Sequence, residues 1–248
     1  MVLHMKPISY YVDFENRSVK FPRVPPALEQ RAVLDYFHGC SRGFFVDVGA
    51  NDPTINSQSF HLEQAGWTGI LVEPLPAYCA LLRQRRTSVV VECACSSRAN
   101  HGQKLAIQVA GTHSTLETQL MDRSGRVEPT RLVNVRTLDS VLRDHNVERG
   151  FELLSIDVEG HELELFDGLD IEYWNPRLML LEDHVLDHSK HNYMTRHGYK
   201  LLLRTGLNSW YIPIGERFTF SWRTRIEFVR KYWLNLLPRR FKFRRANA

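Results

Sequence analysis

Long apolar runs are absent from this 248-residue chain. No window approaches the roughly 18 consecutive apolar residues from which a membrane-spanning helix is built. Residues 1–18 contain Lys6, Asp13, Glu15 and Arg17 where a signal peptide would have an apolar core. These absences predict a soluble, intracellular protein of the cytoplasm.

Cysteine is also scarce, with 4 residues in the whole chain. That density is too low for a disulfide scaffold. A single residue separates Cys93 from Cys95, so the Cys-x-x-Cys spacing of zinc sites is missing as well. We expect the cysteines to be buried, reduced thiols, and no metal site is predicted.

Basic residues are concentrated at the end of the chain. From Glu216 onward, ten Lys or Arg stand against two Glu, so this tail carries +8 and the rest of the chain −4. Nucleic-acid enzymes more often carry basic residues around the active cleft, so no nucleic-acid substrate is expected. Aromatic and basic residues alternate over residues 218–245. This composition fits either peripheral contact with the inner face of a membrane or a helix packed on the core with a solvated basic end.

Apolar segments alternate with amphipathic ones through most of the chain. Strands are predicted at residues 44–48, 69–73, 89–94, 151–157 and 177–182, and helices at residues 27–37, 57–65, 77–85, 138–145 and 159–166. This alternation predicts a parallel sheet covered on both faces. Two further short strands, 104–110 and 131–135, flank a polar loop at 113–128, and residues 200–204 and 209–213 form a predicted hairpin.

The predicted fold class is therefore α/β, a doubly wound and mainly parallel sheet with an antiparallel C-terminal hairpin. We expect an entry or lid segment at residues 1–43, one catalytic domain at 44–215 and the basic aromatic tail at 216–248. The catalytic domain is long enough to bury a full core.

A cofactor site is indicated at residues 44–52, which read FFVDVGAND. A buried strand ends near Asp47 and turns through Gly49, whose missing side chain permits unusual dihedrals and close approach. Glu73 ends the next apolar run, where a carboxylate accepts hydrogen bonds from the two hydroxyls of a ribose. An ordinary loop is the alternative for the first turn taken alone.

The missing glycines narrow the choice of cofactor. The turn lacks the second and third glycines of Gly-x-Gly-x-x-Gly, which seat a pyrophosphate on a helix N-terminus. A ligand without a pyrophosphate, such as S-adenosylmethionine, needs less room. Asp47 or Asn51 would bind or neutralise its amino-acid end, and a nicotinamide oxidoreductase ranks below this interpretation.

Motifs at four separate places give the chain a family resemblance. They read FFVDVGAND at 44–52, GWTGILVEP at 66–74, VRTLDS at 135–140 and SIDVEGHE at 155–162. Together they resemble the FkbM family of S-adenosylmethionine-dependent methyltransferases over about residues 44–213. The resemblance implies a class I, Rossmann-like methyltransferase fold. Pro53 stands where many members carry Gly.

Site residues follow from this resemblance. It implies that Asp47 and Gly49 lie near the methionine part of the cofactor and that Glu73 binds the ribose. The adenine is expected near the segment from Ala94 to Ser96. Some similar proteins methylate the sugars of nodulation factors, which are bacterial lipo-oligosaccharides.

Acidic residues form a candidate catalytic edge. Asp157 ends a predicted central strand, where open α/β folds bind their ligands. Glu159 and Glu162 are predicted to begin the following helix on one face. An acid that leaves a buried strand is costly without a partner, so Asp157 and Glu159 are assigned to function. For Glu162 a structural role in the first turn of the helix is preferred.

Histidines supply the remaining candidates. Glu182 and His184 leave the next strand on one side, and His184 is assigned as a general base for a hydroxyl. His184, His188 and His191 have spacing compatible with metal ligands, but solvated loop histidines are preferred. His113 and His161 are minor base candidates. Asn208 is interpreted either as orienting the substrate or as a turn residue.

The sequence thus predicts an O-methyltransferase. Its expected acceptor is a sugar hydroxyl of an oligosaccharide or glycolipid, for example a lipo-oligosaccharide. A polyketide hydroxyl is the alternative acceptor. The competing class is a non-catalytic cofactor-binding protein that docks to membranes through its basic tail; the presence of both Asp47 and Glu73 disfavours it.

Overall fold

The structure is a computed structural model that describes residues 26–37, 41–108, 130–183, 187–205 and 207–216. Several predicted features lie outside these ranges: most of the entry segment, the loop at 113–128 with His113, His184, and the tail at 218–245. Within the described part of the chain, no helix is long and apolar enough to cross a bilayer.

The described elements follow the predicted alternation of strands and helices. The strands are β1 (Phe44–Val48), β2 (Thr68–Glu73), β3 (Val89–Glu92), β4 (Ala94–Cys95), β5 (Lys104–Gln108), β6 (Thr130–Arg136), β7 (Leu153–Ile156), β8 (Leu178–Glu182), β9 (Tyr199–Thr205) and β10 (Asn208–Pro213). The helices are α1 (Pro26–Tyr36), α2 (Phe60–Gln64), α3 (Pro76–Arg85), α4 (Leu138–Asp144), α5 (Glu162–Asp167), α6 (Ile171–Trp174) and α7 (Ser189–Arg196).

A parallel sheet organises the unit formed by Ser41–Arg177. Its strands lie in the order β3-β2-β1-β7, and every neighbouring pair is parallel. The inner strands are apolar on both faces: Phe45, Val46 and Val48 of β1 are at most 1% exposed. Strands buried on both faces are expected in a parallel sheet covered by helices. The predicted fold class is confirmed here.

A small second sheet in the same unit has the order β4-β6-β5. The sequence predicted one strand over residues 89–94, but β3 ends at Glu92 and the backbone bends at Cys93, whose N–H donates to the Val91 carbonyl at 3.2 Å. Ala94 and Cys95 then pair with Val135 and Arg136 of β6. The residue types of this run do not reveal such a bend, because the same apolar residues suit a strand in either sheet.

The second unit combines Met1–Cys40 with Leu178–Ala248. Its strands lie in the order β8-β10-β9 and both pairs are antiparallel. The predicted C-terminal hairpin is therefore confirmed. Asn208, at the start of β10, donates from its side-chain amide to the Glu29 carboxylate at 3.0 Å. This contact attaches α1 to the hairpin.

Two helix predictions were wrong. Glu159 has a φ of +52° and Gly160 a φ of +99°, so α5 begins only at Glu162 and Glu159 is not in its first turn. The stretch expected to hold loop histidines forms α7, with His188 as its N-cap. His191 lies within that helix, and its Nδ1 is 3.3 Å from the Tyr211 hydroxyl.

A close backbone contact joins the turns that follow β1 and β7. Gly49 has a φ of +88°, and a β-carbon at this position would overlap the carbonyl oxygen of Asp157. The Asp157 N–H also donates to the Val48 carbonyl at 2.9 Å. Glycine is required here because it tolerates both the dihedral and the approach.

The contact at Gly49 predicts how a single methyl group added at this position changes the stability of the protein. Gly49→Ala should lower the free energy of unfolding in urea by at least about 3 kcal/mol, because a steric overlap adds to the unfavourable φ. The matched control is Gly102→Ala, where φ is +78° but no atom lies within 4 Å of the new β-carbon. That variant should lose only about 1–2 kcal/mol. Equal losses in the two variants would show that the contact is unimportant.

Candidate functional site

A cleft lies at the carboxyl ends of β1, β2 and β7 in the unit Ser41–Arg177. It contains about 630 Å³ of empty space, part of which is open to solvent. The lining residues are Val48, Gly49, Asn51, Val72, Glu73, Pro74, Leu75, Tyr78, Cys93, Ala94, Cys95, Ile107, Asp157, Val158 and Glu159. Open parallel sheets bind their ligands at this edge.

Glu73 is held rigidly in the cleft wall. The residue is 4% exposed, and its two carboxylate oxygens accept hydrogen bonds from the backbone N–H groups of Leu75 at 2.8 Å and Asn51 at 2.9 Å. Each oxygen still has a lone pair for a further donor. The carboxylate is thus oriented before any ligand arrives.

Burial raises the pKa of Glu73 to about 7. The backbone hydrogen bonds from Leu75 and Asn51 oppose this rise, and the negative charge of Asp47 adds to it. The thiol of Cys79 lies just beneath and donates to the Glu73 carbonyl oxygen at 3.1 Å. Desolvation has the largest effect on the pKa of Glu73, because its carboxylate is buried away from water.

Asp157 and Glu159 reach the cleft together. Both line it, and a carboxylate oxygen of Asp157 lies within 4.8 Å of one of Glu159. Glu162 does not line it: this residue is 0% exposed and accepts a hydrogen bond from the Gly160 N–H at 3.2 Å. That contact fits the structural role that the sequence favoured for Glu162.

Two predicted cofactor residues do not line the cleft. Asp47 is buried, and its Oδ2 accepts a hydrogen bond from the Ser59 hydroxyl at 2.5 Å. Ser96 is 0% exposed, and its hydroxyl lies 2.8 Å from His161 Nε2. Direct cofactor contact by Asp47 and Ser96 stays a prediction, whereas Gly49, Asn51, Glu73 and Ala94 do line the cleft.

An apolar wall was missed by the sequence analysis. Leu75, Ala94 and Ile107 belong to one buried cluster with two valines of β6, and Tyr78 packs against it. Leu75 is the extended N-cap of α3, and Tyr78 lies in the first turn of that helix. Ile107 carried no signal, because only the fold of the small sheet brings β5 to the cleft.

The described cysteines are free thiols, as predicted. Cys79, Cys93 and Cys95 are all buried, while Cys40 lies outside the described residues. Cys93 and Cys95 line the cleft on either side of Ala94. Ala94 and these two thiols therefore form part of the wall near the predicted adenine site.

The arrangement suits a nucleoside with a positively charged substituent. The fixed carboxylate of Glu73 offers acceptors for vicinal hydroxyls, and the wall of Leu75 and Ile107 offers an apolar surface for a flat base. The carboxylate pair of Asp157 and Glu159 attracts positive charge. His184, the third predicted catalytic residue, lies outside the described part of the chain.

The raised pKa of Glu73 predicts how stability depends on pH. The folded state holds this proton more tightly than the unfolded state, whose ordinary value is 4.5. Stability is therefore lost as pH rises from about 4.5 through 7. Relative to Glu73→Gln, the wild type should lose up to about 3 kcal/mol of unfolding free energy across that range. Urea titrations of both proteins at several pH values measure these unfolding free energies. A difference between the two proteins that stays constant with pH would contradict the raised pKa of Glu73.

Comparisons with known proteins identify the family. The model described as the methyltransferase FkbM domain matches residues 47–201, more than half of the chain. A solved structure of a methyltransferase FkbM from Methylobacillus flagellatus KT is similar at 16% identity and a TM-score of 0.43, covering 69% of this chain and 44% of that one. The chain thus spans less than half of that protein. Curated proteins give no match. By the family model, this chain belongs to the FkbM methyltransferase family.

Proposed function

We propose that this protein is an S-adenosylmethionine-dependent O-methyltransferase whose acceptor is a sugar hydroxyl of an oligosaccharide or glycolipid. The observation that carries the proposal is the buried carboxylate of Glu73, oriented by the N–H groups of Leu75 and Asn51 in the wall of the cleft. Its remaining lone pairs suit the two ribose hydroxyls of the methyl donor.

Three sets of residues would hold the methyl donor in the cleft. Glu73 would hold the ribose, and the apolar wall, which includes Leu75, Ala94 and Ile107, would take the adenine. The turn from Gly49 to Asn51 would hold the amino-acid end. Van der Waals contact with the wall and hydrogen bonds to a preformed carboxylate favour binding because little reorganisation is needed.

Transfer requires alignment and removal of a proton. When bound, S-adenosylmethionine supplies a methyl group that departs from a positively charged sulfur, on which the bonding electrons remain. Either Asp157 or Glu159 would take up the one proton that the acceptor hydroxyl loses as its oxygen bonds to the methyl carbon. Holding both reactants in one cleft would lower the barrier further, because their relative freedom is lost on binding and not in the transfer step. His184 remains a further candidate for the base.

The acceptor assignment rests on the sequence. The motifs resemble those of enzymes that methylate sugars, and the basic aromatic tail fits a lipid-linked glycan at a membrane surface. A bacterial lipo-oligosaccharide meets both conditions. A polyketide hydroxyl is methylated by the same chemistry, but a polyketide acceptor gives the basic aromatic tail no role.

Donor binding is the first test of this function. In calorimetry the protein should bind S-adenosylmethionine and S-adenosylhomocysteine but not NAD, and Glu73→Ala should abolish that binding because both ribose hydrogen bonds are lost. Glu92→Ala is the matched control, since Glu92 occupies the same register position on the neighbouring strand and is exposed. Unchanged affinity in Glu73→Ala would remove the ribose assignment. Absence of donor binding by the wild type would overturn the proposed function.

Proton removal is tested separately. Asp157→Asn and Glu159→Gln should keep donor affinity yet slow methyl transfer by about 100- to 10,000-fold in at least one variant, because an amide cannot accept the hydroxyl proton. The assay is release of S-adenosylhomocysteine with glycans extracted from cells that lack the gene, followed by mass spectrometry for one added CH₂ group. Glu164→Gln, at an exposed side chain outside the cleft, is the control. Wild-type rates in both variants would contradict the catalytic edge.

A further inference from the structure

Arg86 is a buried cation at the C-cap of α3. Its side chain is 0% exposed, and Nε donates to Glu63 Oε2 at 3.0 Å. One terminal nitrogen donates to the Pro53 carbonyl at 3.1 Å and the Ser57 hydroxyl at 3.2 Å, and the other to the Ser59 hydroxyl at 3.1 Å. A guanidinium with this many partners is strongly held, because each hydrogen bond replaces lost hydration.

Asp47 is connected to this cation through one hydroxyl. The Ser59 hydroxyl oxygen accepts a hydrogen bond from Arg86, and the Ser59 O–H donates to Asp47 Oδ2 at 2.5 Å. Burial raises the pKa of Asp47, and the Ser59 hydrogen bond and the Arg86 charge oppose that rise. The arginine therefore helps to keep a buried carboxylate in place directly before the turn at Gly49.

The network extends on both sides of the turn that enters the cleft. Asp47 precedes the 49–53 turn and Pro53 is its last residue. Arg86 therefore restrains the chain at both ends, directly at Pro53 and through Ser59 at Asp47. Between them, Asn51 has a φ of +47° and donates its N–H to Glu73 Oε2. Asparagine enters the left-handed region more readily than most residues, and the hydrogen bond to Glu73 helps to hold Asn51 in it.

We propose that Arg86 is a positioning residue for methyl-donor binding: its hydrogen bonds to Pro53 and Ser59 hold the 49–53 turn so that the Asn51 N–H orients Glu73. This inference rests on the proposed function, because it assigns the donor to this cleft. Arg86 is not itself among the residues that line the cleft. Its shape matters, since a lysine ammonium cannot reach four acceptors arranged around a planar fork.

The experiment compares Arg86→Met, Arg86→Lys and Ser59→Ala with Arg83→Met in calorimetric titrations with S-adenosylhomocysteine. Arg83 lies three residues earlier on α3 and pairs with Glu92 at the exposed surface, so it is the matched control. We expect Arg86→Met to weaken binding on the order of tenfold or more. Arg86→Lys should recover part of that loss, Ser59→Ala should show a smaller loss, and Arg83→Met should bind like the wild type.

A rescue experiment separates positioning from general destabilisation. In Arg86→Ala, low non-denaturing concentrations of guanidinium should restore part of the affinity, whereas the same concentration of ammonium should not. Thermal unfolding of every variant shows whether it is folded, and Ser59→Ala carries the test if Arg86 variants do not fold. Wild-type affinity in folded Arg86→Met or in Ser59→Ala would overturn the inference. Lack of binding by the wild type would instead overturn the proposed function.

Discussion

The convergence of two backbone turns at Gly49 is the constraint on which the rest of the site depends. The Asp157 carbonyl occupies the space that a β-carbon of residue 49 would need, and the Asp157 N–H is bonded to the carbonyl just before that glycine. This contact fixes the turn after β7 against the turn after β1, so Asp157 and Glu159 lie beside Gly49 at the cleft.

The buried carboxylates of the site must also be supplied with hydrogen-bond donors. Removing a carboxylate from water is costly unless donors replace the lost hydration. Glu73 is supplied by backbone N–H groups, and Asp47 by a hydroxyl that is itself held by Arg86. The two acids also repel each other. Two of these donors, the Asn51 N–H and the Ser59 hydroxyl, lie on the 49–59 segment. This segment therefore stabilises the fold and orients the cleft at the same time.

Sequence reasoning succeeded where an element's pattern is local. The apolar strands, the glycine turn, the acid at the end of β2 and the acids at the end of β7 all follow from short runs of residue types. It failed where the backbone departs from a regular path without changing composition. The bend at Cys93 divides one apolar run between two sheets, and the left-handed Glu159 delays α5 by one turn. Neither a cysteine nor a glutamate is a residue type that predicts such a conformation.

The sequence by itself determined the class of fold, the family and the residues that end the strands, because strand periodicity and turn chemistry are written in neighbouring residues. Only the tertiary structure decided which of those residues meet. It turned Asp47 toward Ser59 and away from the cleft wall, brought Ile107 to the cleft from a separate sheet, and buried Arg86 beneath the turn. These outcomes depend on packing between segments tens of residues apart, where burial and hydrogen-bond satisfaction select one arrangement that no local pattern encodes.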